Sequence, residues 1–178
     1  MASAFGHAFA AIALGTSVPK TYRSTKFWIL AAICSILPDA DVIGFSFGIP
    51  YESFWGHRGF SHSLLAALLI GMIITIIFYS TIILSKKGIL LILFFTLATA
   101  SHAVLDAMTT GGLGIAFFSP WDDTRHFFDW RPIQVSPIGI ENFFSKWGLR
   151  VIMSELIYIF IPGTIYIITL YIIRKLKK

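Results

Sequence analysis

Apolar residues in this chain come in long runs rather than in the alternation of half-buried strands or the one-sided stripe of soluble helices. The clearest run, Ser63 to Leu84 (SLLAALLIGMIITIIFYSTIIL), carries no charge. As a helix rising about 1.5 Å per residue it crosses a hydrocarbon core roughly 30 Å thick. Four more segments are drawn the same way: Ala4 to Val18, Phe27 to Leu37, Gly88 to Leu105 and Val151 to Ile173. The first is short and rich in Ala and Gly, so it is expected to be partly embedded or tilted among other helices. Pro19 ends it, and Pro38 is expected to end the second, since proline removes a donor and disfavours helical geometry in the preceding residue. Val42 to Ile49 then continues along the membrane surface. The basic turn Ser85-Lys86-Lys87 makes the third and fourth segments an antiparallel pair, and Pro162-Gly163 predicts a kink in the fifth.

Between the fourth and fifth segments, residues 107 to 146 form neither a span nor a low-complexity linker. Gly111-Gly112, Pro120, Pro132 and Pro137, with Trp121 and Trp130, predict an ordered loop at the interface, where tryptophan rings prefer to sit. The expected fold is therefore all-α: one integral membrane domain over residues 1–178, a polytopic helical bundle of about five segments with a long interfacial loop.

Composition excludes the soluble alternative. The 178 residues are 56% hydrophobic and 13% charged, with a mean hydropathy of +0.78. The net charge of +5 does not predict nucleic-acid binding, because the 14 basic residues form no single recognition stripe. They flank apolar segments instead: Lys20, Arg23 and Lys26; Lys86 and Lys87; Arg174, Lys175, Lys177 and Lys178. Held on the cytoplasmic side, as basic loops are, they place the N-terminus outside and the C-terminus in the cytoplasm. The single cysteine, Cys34, excludes an intramolecular disulfide and reads as a small buried side chain. The first residues lack the basic start of a secretory signal, and His7 interrupts the apolar run, so no cleavage is expected.

That topology gathers the remaining polar residues. His7 lies near the external start of the first segment, Asp39 and Asp41 at the external end of the second, His57 and His62 at the start of the third, and His102 with Asp106 at the end of the fourth. An acid at the centre of a span costs about 2.5 to 3.5 kcal/mol, so such residues default to function. His102 and Asp106, four apart on a helix, project from one face at a separation suited to one metal ion or to a carboxylate bridging two. Asp39-x-Asp41 at a helix break is expected to aim both carboxylates at a common point; the alternative is that one caps the next turn. Arg58 between two histidines, at a helix N-terminus, favours a phosphate or another anion. Ser61 or Ser63 is a candidate cap for that helix.

Oxygen and nitrogen ligands without a thiolate cluster predict one or two divalent ions, zinc first and manganese second. Such an ion activates water at neutral pH without a side-chain nucleophile. His-Glu-x-x-His, Gly-x-Ser-x-Gly and the P-loop are all absent from the sequence.

Gly6-His7, Leu37-Pro38-Asp39-x-Asp41, His57-Arg58-Gly59-x-x-His62-Ser63 and His102-x-x-x-Asp106 together resemble the bacterial inner-membrane metal-dependent hydrolases that include LexA-regulated members. The resemblance covers most of the chain, and it implies an inner-membrane location. A more distant similarity, in the order His, Asp, His and His-x-x-x-Asp, is to zinc-dependent phospholipase C and related nucleases. Those enzymes carry a second His-x-x-x-acid pair downstream. Here His126 is the only later histidine, with no acid at i+4, which makes it an optional ligand.

These readings imply a membrane-embedded hydrolase of phosphoesters in a lipid or lipid-linked substrate. His7, Asp39, Asp41, His57, His62, His102 and Asp106 would hold metal or orient its ligands, Asp39 or Asp41 would act as base, and Arg58, Arg125 and Arg131 would contact phosphate. The alternatives are a transporter or other non-enzymatic metal-binding membrane protein, and a structural metal clip that pins the helices.

Overall fold

A computed structural model describes residues 1–138 and 140–177, with the side chains of Ile140 and Glu141 left aside. Seven α-helices are present among the described residues, and no strand, only isolated bridges at Thr109–Ile133 and Ile115–His126. Five of the helices begin at a serine. Ser3, Ser24, Ser63, Ser85 and Ser145 cap α1 (Ala4–Gly15), α2 (Thr25–Ile36), α3 (Leu64–Tyr79), α4 (Lys86–Ala107) and α6 (Lys146–Glu155). Each hydroxyl accepts from a backbone N–H of the first turn that has no partner inside the helix. The short α5 (Ile140–Phe143) lies in the interfacial loop, and α7 (Ile161–Leu176) completes the chain.

Four helical stretches are long and apolar enough to cross a membrane: Thr25–Phe47, Leu64–Ile82, Lys86–Ala107 and Lys146–Leu176. The helix Ala4–Gly15 is apolar but shorter.

One expectation is corrected. Pro38 does not end the second segment; the chain passes directly from α2 into a 3-10 helix, Leu37–Phe47, with the proline in its first turn. The proline stands at the junction where the i→i+4 ladder of α2, which still takes the Leu37 N–H at Ile33 O, gives way to the tighter 3-10 turn. In the last segment the disturbance lies just before Pro162. The turn Leu156–Phe160 is a π-helix joining α6 to α7, which absorbs the bond and the space that the proline ring denies to the preceding turn.

The core packs α1, α2 and α4 together through Ala11, Phe27, Leu30, Cys34, Leu91, Phe94, Phe95 and Ala98. Against it, α3 lies close to α4 at Gly71, where a Cβ would stand 2.3 Å from Thr96 Oγ1. Small residues permit such approaches between membrane helices. Large apolar side chains of α3 and α7, such as Ile73, Ile77, Ile165 and Ile168, face outward, as a lipid solvent requires.

The basic groups share one end of the bundle. Lys26 Nζ donates to Phe78 O (2.8 Å) and sits over the Tyr79 ring, and Lys87 sits over Tyr22. Arg174 donates to Thr16 O (2.6 Å) and Ser17 O (3.0 Å).

Candidate metal centre

At the opposite end the acids and histidines converge. Helix α4 presents His102 and Asp106 from one fully buried face. His102 Nδ1 lies 2.7 Å from Ser35 O of α2. A carbonyl only accepts, so Nδ1 carries the proton and Nε2 is left with a lone pair. From α1, His7 stacks on His102 with ring centroids 3.8 Å apart.

The 3-10 turn determines how the two aspartates are used. At three residues per turn, positions two apart point about 120° away from each other. Asp39 and Asp41 therefore do not meet at one point, as the sequence suggested, but grip the two sides of the same imidazole. His62 Nε2 lies 3.6 Å from Asp39 Oδ1, and His62 Nδ1 lies 3.2 Å from Asp41 Oδ2.

His62 Nε2 and His102 Nε2 face each other at 3.0 Å. Asp39 Oδ1 is 3.2 Å from His102 Nε2, and Asp106 Oδ2 is 3.9 and 4.0 Å from the two nitrogens. The two facing nitrogens are within hydrogen-bond distance, and Asp39 Oδ1 and Asp106 Oδ2, which make no hydrogen bond, complete the set. Acceptors this close are offset by a proton on His62, by Arg58 beside Asp106 Oδ2, or by a metal cation among them. Ligands about 2.1 Å from a tetrahedral zinc stand about 3.4 Å apart, which matches this spacing. Burial lowers the pKa of His62, yet the adjoining Asp39 and Asp41 outweigh it and the net shift is upward. The site favours positive charge. Asp39, His62, His102 and Asp106 thus form a buried group that can hold a metal ion. Neither ring nitrogen of His7 makes a hydrogen bond, and its Nε2 is 3.2 Å from Asp106 Oδ1, in place to complete the set.

Asp41, His57 and His62 form a second group of ligand atoms that could hold a metal ion, and Asp41 also orients its neighbours. Its carboxylate meets His57 Nδ1 at 2.7 Å and accepts from Ser61 Oγ at 2.5 Å and from the Arg58 N–H at 3.3 Å. The two carboxylate oxygens are occupied by these donors together with His62, so Asp41 has little capacity left as a base. It instead holds the Nδ1 proton of His57, leaving Nε2 as that ring's acceptor. Burial pushes the pKa of His57 down despite the carboxylate, which keeps the ring neutral. His57 lines a cleft of about 330 Å³ beside the centre, with Tyr51, Gly112 and Trp147.

Arg58 is buried completely. Its Nε is 3.2 Å from Asp106 Oδ2, Nη1 donates to Gly111 O (2.7 Å) and Nη2 to Thr109 Oγ1 (3.0 Å). The backbone takes a left-handed φ of 65° to direct it inward, a conformation few non-glycine residues hold without compensating contacts. Gly112, at φ 93°, leaves room for it: a Cβ there would lie 2.3 Å from Nη1. The interfacial loop is thereby locked to the centre through the Gly111 carbonyl and the Thr109 hydroxyl.

The other two basic candidates make contacts within the chain. Arg125 donates to His57 O, Tyr51 O and Ser53 O, bracing the loop that carries His57. Arg131 lies over the Phe127 ring at the surface. His126 joins neither cluster of ligand atoms; its ring meets Phe118 edge-on.

Several participants were not singled out from sequence. Thr109 and Gly111 bond to the centre from the interfacial loop, and Ser61 from the 3-10 turn Phe60–His62. Glu155 is buried on α6, where it accepts from the backbone N–H and, at 2.6 Å, the hydroxyl of Ser3. The neighbouring Ala2 N–H donates to Asp106 Oδ1 at 2.6 Å, so Glu155 anchors the segment that covers the centre. Its signal was available: it is the one acid in Lys146–Leu176.

Residues 1–176 match the family described as YdjM inner membrane protein. The chain is also 34% identical over 164 residues to the inner membrane protein YbcI of Escherichia coli strain K12, covering 92% of this chain and 93% of that one. No solved structure matches. With its apolar helices, this is a multi-pass inner-membrane protein, and the chain belongs to the YdjM inner membrane protein family.

Proposed function

We propose that the protein is a membrane-embedded metal-dependent hydrolase of a phosphoester in a lipid or lipid-linked substrate. The observation that carries this reading is the pair of facing imidazole nitrogens at 3.0 Å, flanked by one oxygen each of Asp39 and Asp106 that makes no hydrogen bond and adjoining a cleft lined by His57. Asp39, His62, His102 and Asp106, with His7 beside them, would hold the ion; zinc suits two imidazoles and two carboxylates, with manganese second. The chemistry that a divalent ion held there would supply is a lowered pKa of bound water and polarisation of a phosphoryl oxygen.

The chain's own residues supply the rest. Asp41 fixes the tautomers of His57 and His62, as outer-shell carboxylates do for ligating histidines. His57, neutral with Nδ1 held, takes a proton at Nε2 from water entering the cleft and returns it to the leaving oxygen. This moves the base from Asp39 or Asp41 to His57. Arg58 offsets the negative charge of Asp106 from inside. The N-terminus and the metal centre lie on the external face, with the basic end in the cytoplasm, as the positive-inside rule requires.

The transporter alternative is disfavoured by the bundle's interior. Between the centre and the basic end lies the apolar core of Phe27, Leu91, Phe94 and Phe95, whereas a transport path needs polar groups to both faces.

The test is metal analysis of the purified protein together with phosphatase and phosphodiesterase assays on short-chain lipid phosphoesters. Stoichiometric metal and an activity abolished by His102→Ala are expected. Protein without stoichiometric metal, or activity that survives the substitution, overturns the reading.

A further inference from the structure

A second cavity, about 410 Å³, opens between α1 and the α6–π-turn region. Its walls are Phe5, Ala8, Phe9 and Ile12 on one side and Ile152 and Phe160 on the other. Ser3 and Glu155 are spent on each other at its rim. The Phe9 and Phe160 rings meet at 4.6 Å, and Phe160 lies in the π-turn, a kind of helical irregularity frequent at functional sites.

This groove is unlike the rest of the lipid-facing surface. It is concave where α3 and α7 present ridges of Ile, and it lies between two helices whose apolar faces belong to the bilayer. The Met1–Ser3 segment and α5 separate it from the cleft: Met1 and Asn142 line the cleft, and Ser3 and Phe143 line the groove. An apolar slot and a polar cleft therefore share one thin wall beside the ion-binding residues. Lys146 and Arg150, exposed at the same end of the bundle, add positive charge at head-group depth.

We propose that the groove holds an acyl chain of a membrane phospholipid whose phosphate head enters the adjoining cleft. The groove does not draw the chain by the hydrophobic effect, since the bilayer is equally apolar. It sets register, fixing the depth and rotation of the lipid so that its phosphoester lies over the centre. The fate of that ester rests on the hydrolase reading above; the binding of the chain does not.

The test uses the full-length protein in vesicles of phosphatidylethanolamine and phosphatidylglycerol doped with a phosphatidic acid that carries a diazirine in one acyl chain. After illumination, adducts are mapped by peptide mass spectrometry. They are expected to concentrate on the Phe5–Ile12 and Ile152–Phe160 peptides. Ala8→Trp, and independently Ile152→Trp on the facing wall, should each reduce this labelling about tenfold by filling the slot. Ile76→Trp, on the outward face of α3, should leave it unchanged, and all three variants should keep their metal content.

Adducts spread evenly around the bundle, or groove labelling indifferent to both fillings, overturn the proposal while leaving the hydrolase reading intact. A groove occupied by a second copy would give no lipid adducts there and a disulfide-linked dimer of the Ile12→Cys protein, which also overturns it. Groove labelling that Ala8→Trp abolishes, in a protein that cleaves no phosphoester, supports the lipid site and defeats only the hydrolase reading.

Discussion

The two ends of the bundle carry almost all of its charge and use it in opposite ways. At the basic end, Lys26, Lys87 and Arg174 are exposed or half-buried and are satisfied by backbone carbonyls and aromatic faces. At the other end, Asp39, Arg58, His62, His102 and Asp106 are buried and satisfied chiefly by one another. Charge is inexpensive where water can reach it and costly where it cannot. The basic end thus needs no explanation beyond topology. The buried end persists only if the groups are in balance: Arg58 is set against Asp106, and the remaining ligand atoms form a group that can hold a metal ion.

The largest effect should follow from upsetting it. Asp106→Asn leaves the Arg58 guanidinium buried without its carboxylate and removes a ligand. A loss of about 3–5 kcal/mol is expected, read as a fall in thermal unfolding temperature, together with loss of bound metal. Arg58→Met combined with Asp106→Asn should recover part of the stability and none of the metal. Equal losses in the single and double variants would show that the pair is not coupled.

Gly112→Ala comes next. The new Cβ meets Arg58 Nη1 and the backbone must keep a left-handed φ, so about 2 kcal/mol or more should be lost. The same measurement on Gly48→Ala separates the two causes. Gly48 has φ 74° with nothing near a Cβ, and strain alone should cost less there.

Asp41→Asn should act on the metal more than on the fold. The amide preserves shape but no longer fixes the tautomers of His57 and His62, and a loss of about 10- to 100-fold in metal affinity is expected. Titration of the metal-free protein with zinc reads this directly. An unchanged affinity would remove Asp41 from the centre.

How much of this was legible in the sequence depended on whether a feature is local or relational. Serine caps and uncharged runs are local, and the helices follow from them. The ligand types and their shared face also followed, because parity of spans and position along each span suffice to place His7, Asp39, His62, His102 and Asp106 together. The division of labour between Asp39 and Asp41 was not legible. It depends on Pro38 beginning a 3-10 helix rather than ending a helix, which sets the two carboxylates on opposite sides of His62. Arg58 and Arg125 were equally ambiguous, since an arginine that grips loop carbonyls and one that grips phosphate have the same neighbours in sequence. Glu155 was a missed signal, an acid alone in an apolar span.

The smallest effect tests the other half of the comparison. Lys86 and Lys87 open α4, where a positive charge opposes the helix dipole, so neither is placed for helix stability. If the basic end serves topology alone, Lys86→Gln with Lys87→Gln should shift stability by less than about 0.5 kcal/mol and leave metal content unchanged. What the pair contributes is orientation, shared with the groups at 20–26 and 174–178. A fluorescent reporter fused after Lys178 should still fold in the cytoplasm when only this pair is neutralised, and it should lose signal only as the other two groups are neutralised as well. A measurable loss of metal from the lysine pair alone would mean that the two ends communicate through the Phe27, Leu91 and Phe95 core, and the separation drawn here between topology and chemistry would fail.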